Sequence, residues 1–172
     1  MSNSHPPALS NTDFAAIKLL VLDVDGIMTD GGLYYTESGE ILKKFNVKDG
    51  LGIKRLIKHG VDVAIISANS SEATLHRAGR LNVEHVFINV KDKLAVLKEL
   101  CDRLQIPLSQ VASMGDDLSD LAVMKAVGYP MTVADAMPEN IAIARFVTSK
   151  SGGQGAVREV SDRIISAQPT SA

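Results

Sequence analysis

Four polar segments of the sequence carry side chains whose types suit the transfer of a phosphoryl group. They contain Asp23, Ser67, Lys93 and Asp116. A carboxylate nucleophile is repelled by a phosphate monoester dianion, so this reaction needs a divalent cation and fixed groups that offset the charge. Asp23 and Asp116 offer the hard oxygen ligands that Mg²⁺ prefers, while Lys93 and the Ser67 hydroxyl can hold phosphoryl oxygens. The pattern predicts a magnesium-dependent phosphoryl-transfer site.

Asp25 adds a group that can transfer protons. Residues two apart in a turn after a strand can reach the same site, so we expect Asp25 beside Asp23. There it can protonate the leaving oxygen and then activate water. Gly26 lets the backbone pass close to a ligand.

Each signal alone has a simpler interpretation. An Asp-x-Asp pair is commonly a solvated turn, and Gly115-Asp116-Asp117 before a helix is commonly an acidic cap. A serine at a strand end usually caps the next helix, and one lysine among several usually faces water. An EF-hand calcium loop does not fit, because its further ligand spacing is absent. All four signals at successive strand ends favour the functional interpretation.

The elements that must position these side chains alternate between strands and helices. Apolar runs predict strands over Ile17 to Leu22, Val61 to Ile66, His85 to Ile88, Val111 to Met114 and Met131 to Val133. Apolar residues at helical spacing predict one helix after a possible cap at Asp49, a second after Ser70 or Ser71, and a third from Leu94 to Leu104. Two more helices are predicted from Leu118 to near Gly128 and from Val157 to Ile164. The alternation predicts a parallel sheet with helices on both faces, whose ligands bind beyond the carboxyl ends of the strands.

One segment breaks this alternation. Leu33 to Val47 is typical of two strands joined at Glu37-Ser38-Gly39. This hairpin either protects an edge of the sheet, or contacts another subunit or covers the active site. Its apolar residues Leu33, Tyr34, Ile41 and Phe45 favour the second interpretation. We therefore predict an α/β fold, a Rossmann-like three-layer sandwich with a mainly parallel central sheet, an inserted β-hairpin and no cap domain. One domain is expected over 14–172, after a disordered polar tail over 1–13.

Composition limits the class of protein. The chain has 172 residues, of which 45% are hydrophobic, enough for one sizeable core. The formal net charge of -2 offers no positive field to nucleic acid or to an anionic membrane. The single cysteine, Cys101, excludes a disulfide framework and fits a reducing cytoplasm. We expect a cytoplasmic protein that binds neither nucleic acid nor a membrane.

The four segments match, in order, the motifs of the haloacid-dehalogenase-like phosphatase superfamily. Asp23 to Asp30 resembles the first motif, Ser67 the second, Lys93 the third and Gly115 to Asp120 the fourth. This resemblance implies an enzyme that removes phosphate from a small molecule with the help of Mg²⁺.

The resemblance also implies a role for each carboxylate. Asp23 would be the nucleophile that forms an aspartyl-phosphate, and Asp25 the general acid and base. Mg²⁺ would be bound by Asp23, by the backbone carbonyl of Asp25 and by Asp116. Asp117 and Asp120 would support the metal site.

From Lys18 to about Ala167 the sequence is similar to a capless subfamily that acts on phosphorylated sugar acids. The similarity includes the hairpin, Asn46 to Gly50 and Gly152 to Glu159. It implies a homotetramer whose neighbouring subunits help close the site, and lipopolysaccharide biosynthesis as the pathway. The implied substrate contacts fall on Asp25, Asn46, Val47, Lys48, Asp49, Gly50, Lys54, Asn69, Arg77 and Lys93. Lys54 and Arg77 lie on predicted helices, where a solvated face is the simpler interpretation.

One position departs from the subfamily. Ala68 and Asn69 follow Ser67 where the subfamily usually has Gly-Arg, so a charged substrate contact is absent. The resemblance implies 3-deoxy-D-manno-octulosonate 8-phosphate as the substrate, and this departure leaves a nonulosonate 9-phosphate as the alternative.

Two other classes of protein fit part of the pattern. A signalling receiver domain also combines acidic residues with Ser or Thr and Lys, but its phospho-accepting Asp lies on a middle strand and its Lys comes last. A non-catalytic relative would serve as a binding or regulatory module, although four intact motifs favour an enzyme. Hydrolysis of p-nitrophenyl phosphate with Mg²⁺ separates a phosphatase from both.

Overall fold

A six-stranded parallel sheet runs through the middle of the protein in the computed structural model, which describes residues 6–168. Its strands are β1 (Leu19–Leu22), β4 (Asp62–Ile66), β5 (His85–Phe87), β6 (Val111–Met114), β7 (Tyr129–Thr132) and β8 (Phe146–Val147). They lie in the order β5-β4-β1-β6-β7-β8, and every neighbouring pair is parallel. The first strand is therefore central, which agrees with its continuous apolar sequence.

The predicted hairpin is present directly after the first strand of the chain. β2 (Tyr34–Tyr35) and β3 (Ile41–Leu42) form a separate antiparallel pair. Thr36 and Glu40 close the turn between them, and Gly39 within it has a φ of 86° that suits glycine. The regular strands are shorter than the predicted segment, and Val47 belongs to the next helix instead.

Helices cover both faces of the sheet. They are α1 (Asn11–Ala16), α2 (Val47–Lys58), α3 (Glu72–Leu81), α4 (Lys93–Leu104), α5 (Leu121–Ala126), α6 (Pro138–Ile143) and α7 (Ala156–Ala167). Alternate residues of β1 point to opposite faces. Leu20 and Leu22 belong to a core with residues of α1, α2, α3 and α7, whereas Leu19 and Val21 belong to a second core with residues of α4 and α5. The three-layer α/β sandwich is confirmed.

Several predicted boundaries were wrong. The cap of α2 is Asn46, whose side chain accepts the backbone N–H of Lys48, and Asp49 lies inside the first turn. The predicted tail was too long, because Ser10 and Asp13 form a capping box that starts α1 at Asn11. Residues 1–5 of that tail lie outside the described residues.

Two short elements near the C-terminus had no counterpart in the predictions, namely α6 and β8. The strand predicted over Met131 to Val133 begins two residues earlier, at Tyr129. Within residues 6–168, no helix combines the length and the apolar character needed to cross a membrane.

Candidate active site

The carboxyl ends of three neighbouring strands bring the predicted side chains to one edge of the sheet. Leu22 of β1 is paired with Ile65 of β4 and with Met114 of β6, so the residues that follow these strands emerge together. An open cavity of about 460 Å³ lies there. Its lining consists of Asp23, Asp25, Gly26, Gly31, Ser67, Ala68, Asn69, Lys93, Asp116, Asp117 and Ser119. The four predicted catalytic residues and the predicted metal ligands thus share one cavity, the catalytic cavity.

An acidic cluster occupies the floor of this cavity. Carboxylate oxygens of Asp23, Asp116 and Asp120 lie within 4.8 Å of one another. Burial and the charge of Asp120 raise the pKa of Asp23 to about 6. Burial, followed by the charges of Asp23 and Asp120, raises the pKa of Asp116 to about 7. A divalent cation bound between these carboxylates would relieve their mutual repulsion. All of the donor atoms are oxygens and the cluster contains no His or Cys, which fits Mg²⁺.

Asp117 and Asp120 play different parts around this cluster. Asp120 is buried, and its Oδ2 accepts the backbone N–H of Asp116 at 3.1 Å. Asp117 is exposed, and its Oδ1 accepts the backbone N–H of Leu118 at 2.6 Å, which caps a 3₁₀ turn. Asp120 is therefore a member of the cluster, while the side chain of Asp117 shapes the loop beside it.

Lys93 holds the nucleophile candidate in place. It is the first residue of α4, directly after the cap Asp92, and its side chain is buried. Its Nζ lies 2.9 Å from Asp23 Oδ1 and 2.7 Å from Asp120 Oδ1. Although burial acts to lower it, these two carboxylates hold the pKa of Lys93 above its usual value. One ammonium faces two carboxylates, so Lys93 stays charged while the pKa of Asp23 is still raised.

Asp25 forms an ion pair that sequence reasoning missed. Its carboxylate accepts a hydrogen bond from the ammonium of Lys43, whose side chain is fully buried after β3. Lys44, the next residue, instead points outward and pairs with Asp30 at 2.9 Å. No sequence signal distinguishes the two lysines, since the choice depends on which side of the short ribbon faces the cavity. The hairpin thereby contacts the predicted acid and base.

Tight packing shapes the turn that carries Asp25. Gly26 has a φ of 86°, and a Cβ there would lie 1.9 Å from Asp116 Oδ2, so only glycine lets the turn approach the acidic cluster. The buried Thr29 accepts the backbone N–H groups of Gly26 and Gly31 at 3.4 and 3.2 Å. A Cβ on Gly152 would lie 1.8 Å from the carbonyl oxygen of Gly26. The glycine-rich segment before α7 therefore packs against the active-site turn.

Ser67 and Asn69 also line the catalytic cavity. Ser67 Oγ accepts the backbone N–H of Asn69 at 3.2 Å, and Asn69 Oδ1 accepts the backbone N–H of Ser71 at 2.9 Å. These bonds fix the loop between β4 and α3. Asn69 lines the cavity, and it brings no charge there because its side chain is a neutral amide.

Seven predicted substrate contacts lie outside the catalytic cavity of this chain, namely Asn46, Val47, Lys48, Asp49, Gly50, Lys54 and Arg77. Asn46 Nδ2 donates to the carbonyl of Gly153 at 3.0 Å, and Arg77 Nη2 donates to the carbonyl of Asn46 at 3.0 Å. Asp49 is buried and accepts the backbone N–H of Arg158 at 2.9 Å, which links α2 to the first turn of α7. Val47, Gly50, Lys54 and Arg77 line a separate cavity of about 260 Å³. Their assignment as substrate contacts stays a prediction.

Comparison with known families defines the class of this protein. The model of the haloacid dehalogenase-like hydrolases matches residues 67–160, which is more than half of the chain. The chain belongs to the haloacid dehalogenase-like hydrolase family.

Individual relatives are similar over nearly the whole chain. The 3-deoxy-D-manno-octulosonate 8-phosphate phosphatase KdsC of Yersinia pestis is 47% identical over 154 residues, covering 90% of this chain and 82% of that protein. A 1.95 Å crystal structure of the Yersinia pestis phosphatase has a TM-score of 0.90 at 46% identity and covers 92% of this chain and 85% of that one. The Moraxella catarrhalis phosphatase was solved with a magnesium ion, a phosphate ion and a KDO molecule. Its structure has a TM-score of 0.89 at 39% identity and covers 92% of this chain and 91% of that one.

Proposed function

We propose that this protein is a Mg²⁺-dependent phosphatase that hydrolyses 3-deoxy-D-manno-octulosonate 8-phosphate to 3-deoxy-D-manno-octulosonate and inorganic phosphate. The observation that carries the proposal is the catalytic cavity, where Asp23 lies between Lys93 and the acidic cluster at the carboxyl edge of the sheet. The substrate is inferred from the relatives named above, which are up to 47% identical to this chain.

The reaction follows from the positions of two carboxylates. An oxygen of Asp23 attacks phosphorus, so that a new P–O bond forms while the bond to the sugar oxygen breaks. The leaving alkoxide takes a proton from Asp25 and departs as the sugar alcohol. Water then attacks the phosphorus of the aspartyl-phosphate and gives a proton to Asp25, which releases inorganic phosphate and restores both side chains.

The remaining residues offset charge and hold the phosphoryl group. The buried ammonium of Lys93 and the hydroxyl of Ser67 are placed to hold phosphoryl oxygens. Asp23, the carbonyl of Asp25 and Asp116 would hold Mg²⁺, which supplies positive charge that offsets the repulsion between carboxylate and phosphate. Asp120 orients Lys93 through their hydrogen bond of 2.7 Å.

Substrate choice depends on the cavity wall. Asn69 is neutral where the subfamily has an arginine, so a nonulosonate 9-phosphate stays the second candidate substrate. We propose measurable activity on both esters. Assays of phosphate release from the octulosonate 8-phosphate, a nonulosonate 9-phosphate and p-nitrophenyl phosphate, each with and without Mg²⁺, test the proposal. Turnover of p-nitrophenyl phosphate but of neither sugar-acid ester would refute the substrate class, and no turnover at all would favour a non-catalytic relative.

The hairpin supports the proposal of a homotetramer. Leu33, Tyr34, Tyr35 and Leu42 are each about half exposed or more, and Val47 is 82% exposed. Of the residues named for this surface from the sequence, Ile41 and Phe45 are partly buried instead. A cluster of exposed apolar side chains favours contact between subunits. Light scattering at micromolar concentration checks the assembly, and a monomeric mass would contradict it. The cytoplasmic location stays a prediction.

A further inference from the structure

The backbone of the loop that carries Asp116 is held by β7 and α6. This loop, the Asp116 loop, runs from Gly115 to Asp117 directly after β6. Its first carbonyl accepts the hydroxyl of Thr132, the last residue of β7, at 2.7 Å. Its second carbonyl accepts the backbone N–H of Met137, the cap of α6, at 2.9 Å, and its third accepts the side-chain amide of Asn140 at 3.0 Å. Three successive carbonyls are therefore each bound by a donor from outside the loop.

The two side-chain donors are polar groups in the interior of the protein. Thr132 and Asn140 are both fully buried. Burial of a polar group costs free energy unless its hydrogen bonds are made, and Oδ1 of Asn140 has no hydrogen-bond partner within residues 6–168. A leucine of similar size would avoid that cost. Stability alone therefore does not explain an asparagine here, and its distinctive contribution is the bond to the Asp116 loop.

The carboxylate of Asp116 depends on this backbone support for its position. Its buried Oδ1 accepts no hydrogen bond from the part of the chain that the structure describes. The same carboxylate lies within 4.8 Å of carboxylate oxygens of Asp23 and Asp120, and like charges at that distance repel each other. The bonds to the loop carbonyls oppose this repulsion, so they keep Asp116 beside Asp23.

We propose that Thr132 and Asn140 are positioning residues for the metal site, which hold the Asp116 loop so that Mg²⁺ meets its ligands already in place. The inference rests on the proposed function, in which Asp116 is a ligand of Mg²⁺. A ligand held in place before the ion binds loses less conformational freedom on binding. Neither Thr132 nor Asn140 lines the catalytic cavity, so each acts through the loop. Replacing residues that support metal ligands typically weakens metal binding by about ten- to a hundredfold.

The test measures the binding of Mg²⁺ alone, without substrate. Thr132→Val removes the hydroxyl and keeps the shape of the side chain, Asn140→Leu removes the amide, and Thr132→Ser keeps the hydroxyl. The dissociation constant of Mg²⁺ follows from the rise of the free energy of unfolding with the concentration of the ion. We expect it to increase about tenfold in Thr132→Val and in Asn140→Leu. Thr132→Ser should stay within about twofold of wild type.

Ser161→Ala is the matched control. Ser161 of α7 is also fully buried, and its hydroxyl donates to the backbone carbonyl of Val157 at 2.7 Å, the same distance as for Thr132. This bond lies within α7 and does not reach the Asp116 loop. The variant should leave the dissociation constant of Mg²⁺ within about twofold of wild type, whatever its effect on stability.

Turnover of p-nitrophenyl phosphate provides a second readout. The Mg²⁺ concentration that gives half of the maximal rate should rise by the same factor in Thr132→Val and Asn140→Leu, while the rate at saturating Mg²⁺ stays within about threefold of wild type. General damage to the structure would lower that maximal rate as well.

Dissociation constants within about twofold of wild type in both Thr132→Val and Asn140→Leu would overturn the inference and leave the proposed function intact. If one of these variants does not fold, the other decides alone. An equal loss of Mg²⁺ binding in Ser161→Ala would also overturn the inference, because any buried hydroxyl would then have the same effect. Wild-type protein that is neither stabilised nor activated by Mg²⁺ would overturn the proposed function, and with it the role of the loop.

Discussion

Replacing Asp116 by asparagine should stabilise the metal-free protein while it removes metal-dependent activity. Burial and the neighbouring carboxylates raise the pKa of Asp116 from 3.8 to about 7. A group whose pKa is higher in the folded than in the unfolded state costs folding free energy once it ionises. The cost is absent below about pH 4, grows between about pH 4 and 7, and is complete above about pH 7. An asparagine at this position carries no such cost.

The size of the effect follows from the same pKa. The difference between 3.8 and about 7 corresponds to about 4 kcal/mol if fully expressed. The side chain of Asp116 is only partly buried, so solvent screening reduces this to about 2 kcal/mol. We therefore expect Asp116→Asn to exceed wild type in the free energy of unfolding by about 2 kcal/mol at pH 8, but by less than about 1 kcal/mol at pH 5.

Urea unfolding in the presence of EDTA at both pH values measures this difference. Asp117→Asn is the matched control, because Asp117 is exposed and asparagine caps a turn about as well as aspartate. It should change stability by less than about 0.5 kcal/mol. Added Mg²⁺ should stabilise wild type by mass action and leave Asp116→Asn unchanged. Equal or lower stability of Asp116→Asn at pH 8 without metal would refute the argument that repulsion dominates this cluster.

The other predictions concern turnover. Asp23→Asn should reduce turnover at least about 10³-fold with an unchanged circular dichroism spectrum, and activity within about tenfold of wild type would reject Asp23 as nucleophile. Exhaustive EDTA treatment should abolish phosphate release and Mg²⁺ should restore it, whereas full activity after dialysis would contradict the metal assignment. Asp25→Asn should lower kcat/KM for the alkyl sugar ester at least about tenfold more than for p-nitrophenyl phosphate, because the good leaving group of the latter needs little protonation, and an equal loss for both would argue against Asp25 as the general acid. Asn69→Arg should lower the Michaelis constant for the octulosonate ester more than that for p-nitrophenyl phosphate, and an equal change for both would argue against Asn69 as a specificity element.

Most of the sheet could be predicted because its strands are short apolar runs bounded by polar turns. β6 matches its predicted range, and β1, β4 and β5 differ by one or two residues at their ends. The β8 strand has only two residues, and α6 has six with a single buried residue, so neither produces a clear periodicity. Their positions depend on packing against the rest of the sheet.

The helix boundary at Asn46 shows where local reasoning failed. Asn46 and Asp49 are both good capping residues by type. Asp49 is instead buried against the start of α7, where it accepts the backbone N–H of Arg158, a residue 109 positions away. A contact between residues so far apart in the sequence cannot be predicted from the pattern of neighbouring residues.

By itself, the sequence determined the fold class, the order of the motifs and the membership of Asp23, Asp25, Ser67, Lys93 and Asp116 in one site, because parallel strands present their carboxyl ends at a common edge. Only the tertiary structure decided which other charged side chains reach that edge. Lys43 rather than Lys44 meets Asp25, and Asp120 rather than Asp117 completes the acidic cluster. These choices depend on the direction of individual side chains across packed elements, and periodicity along the chain does not encode that direction.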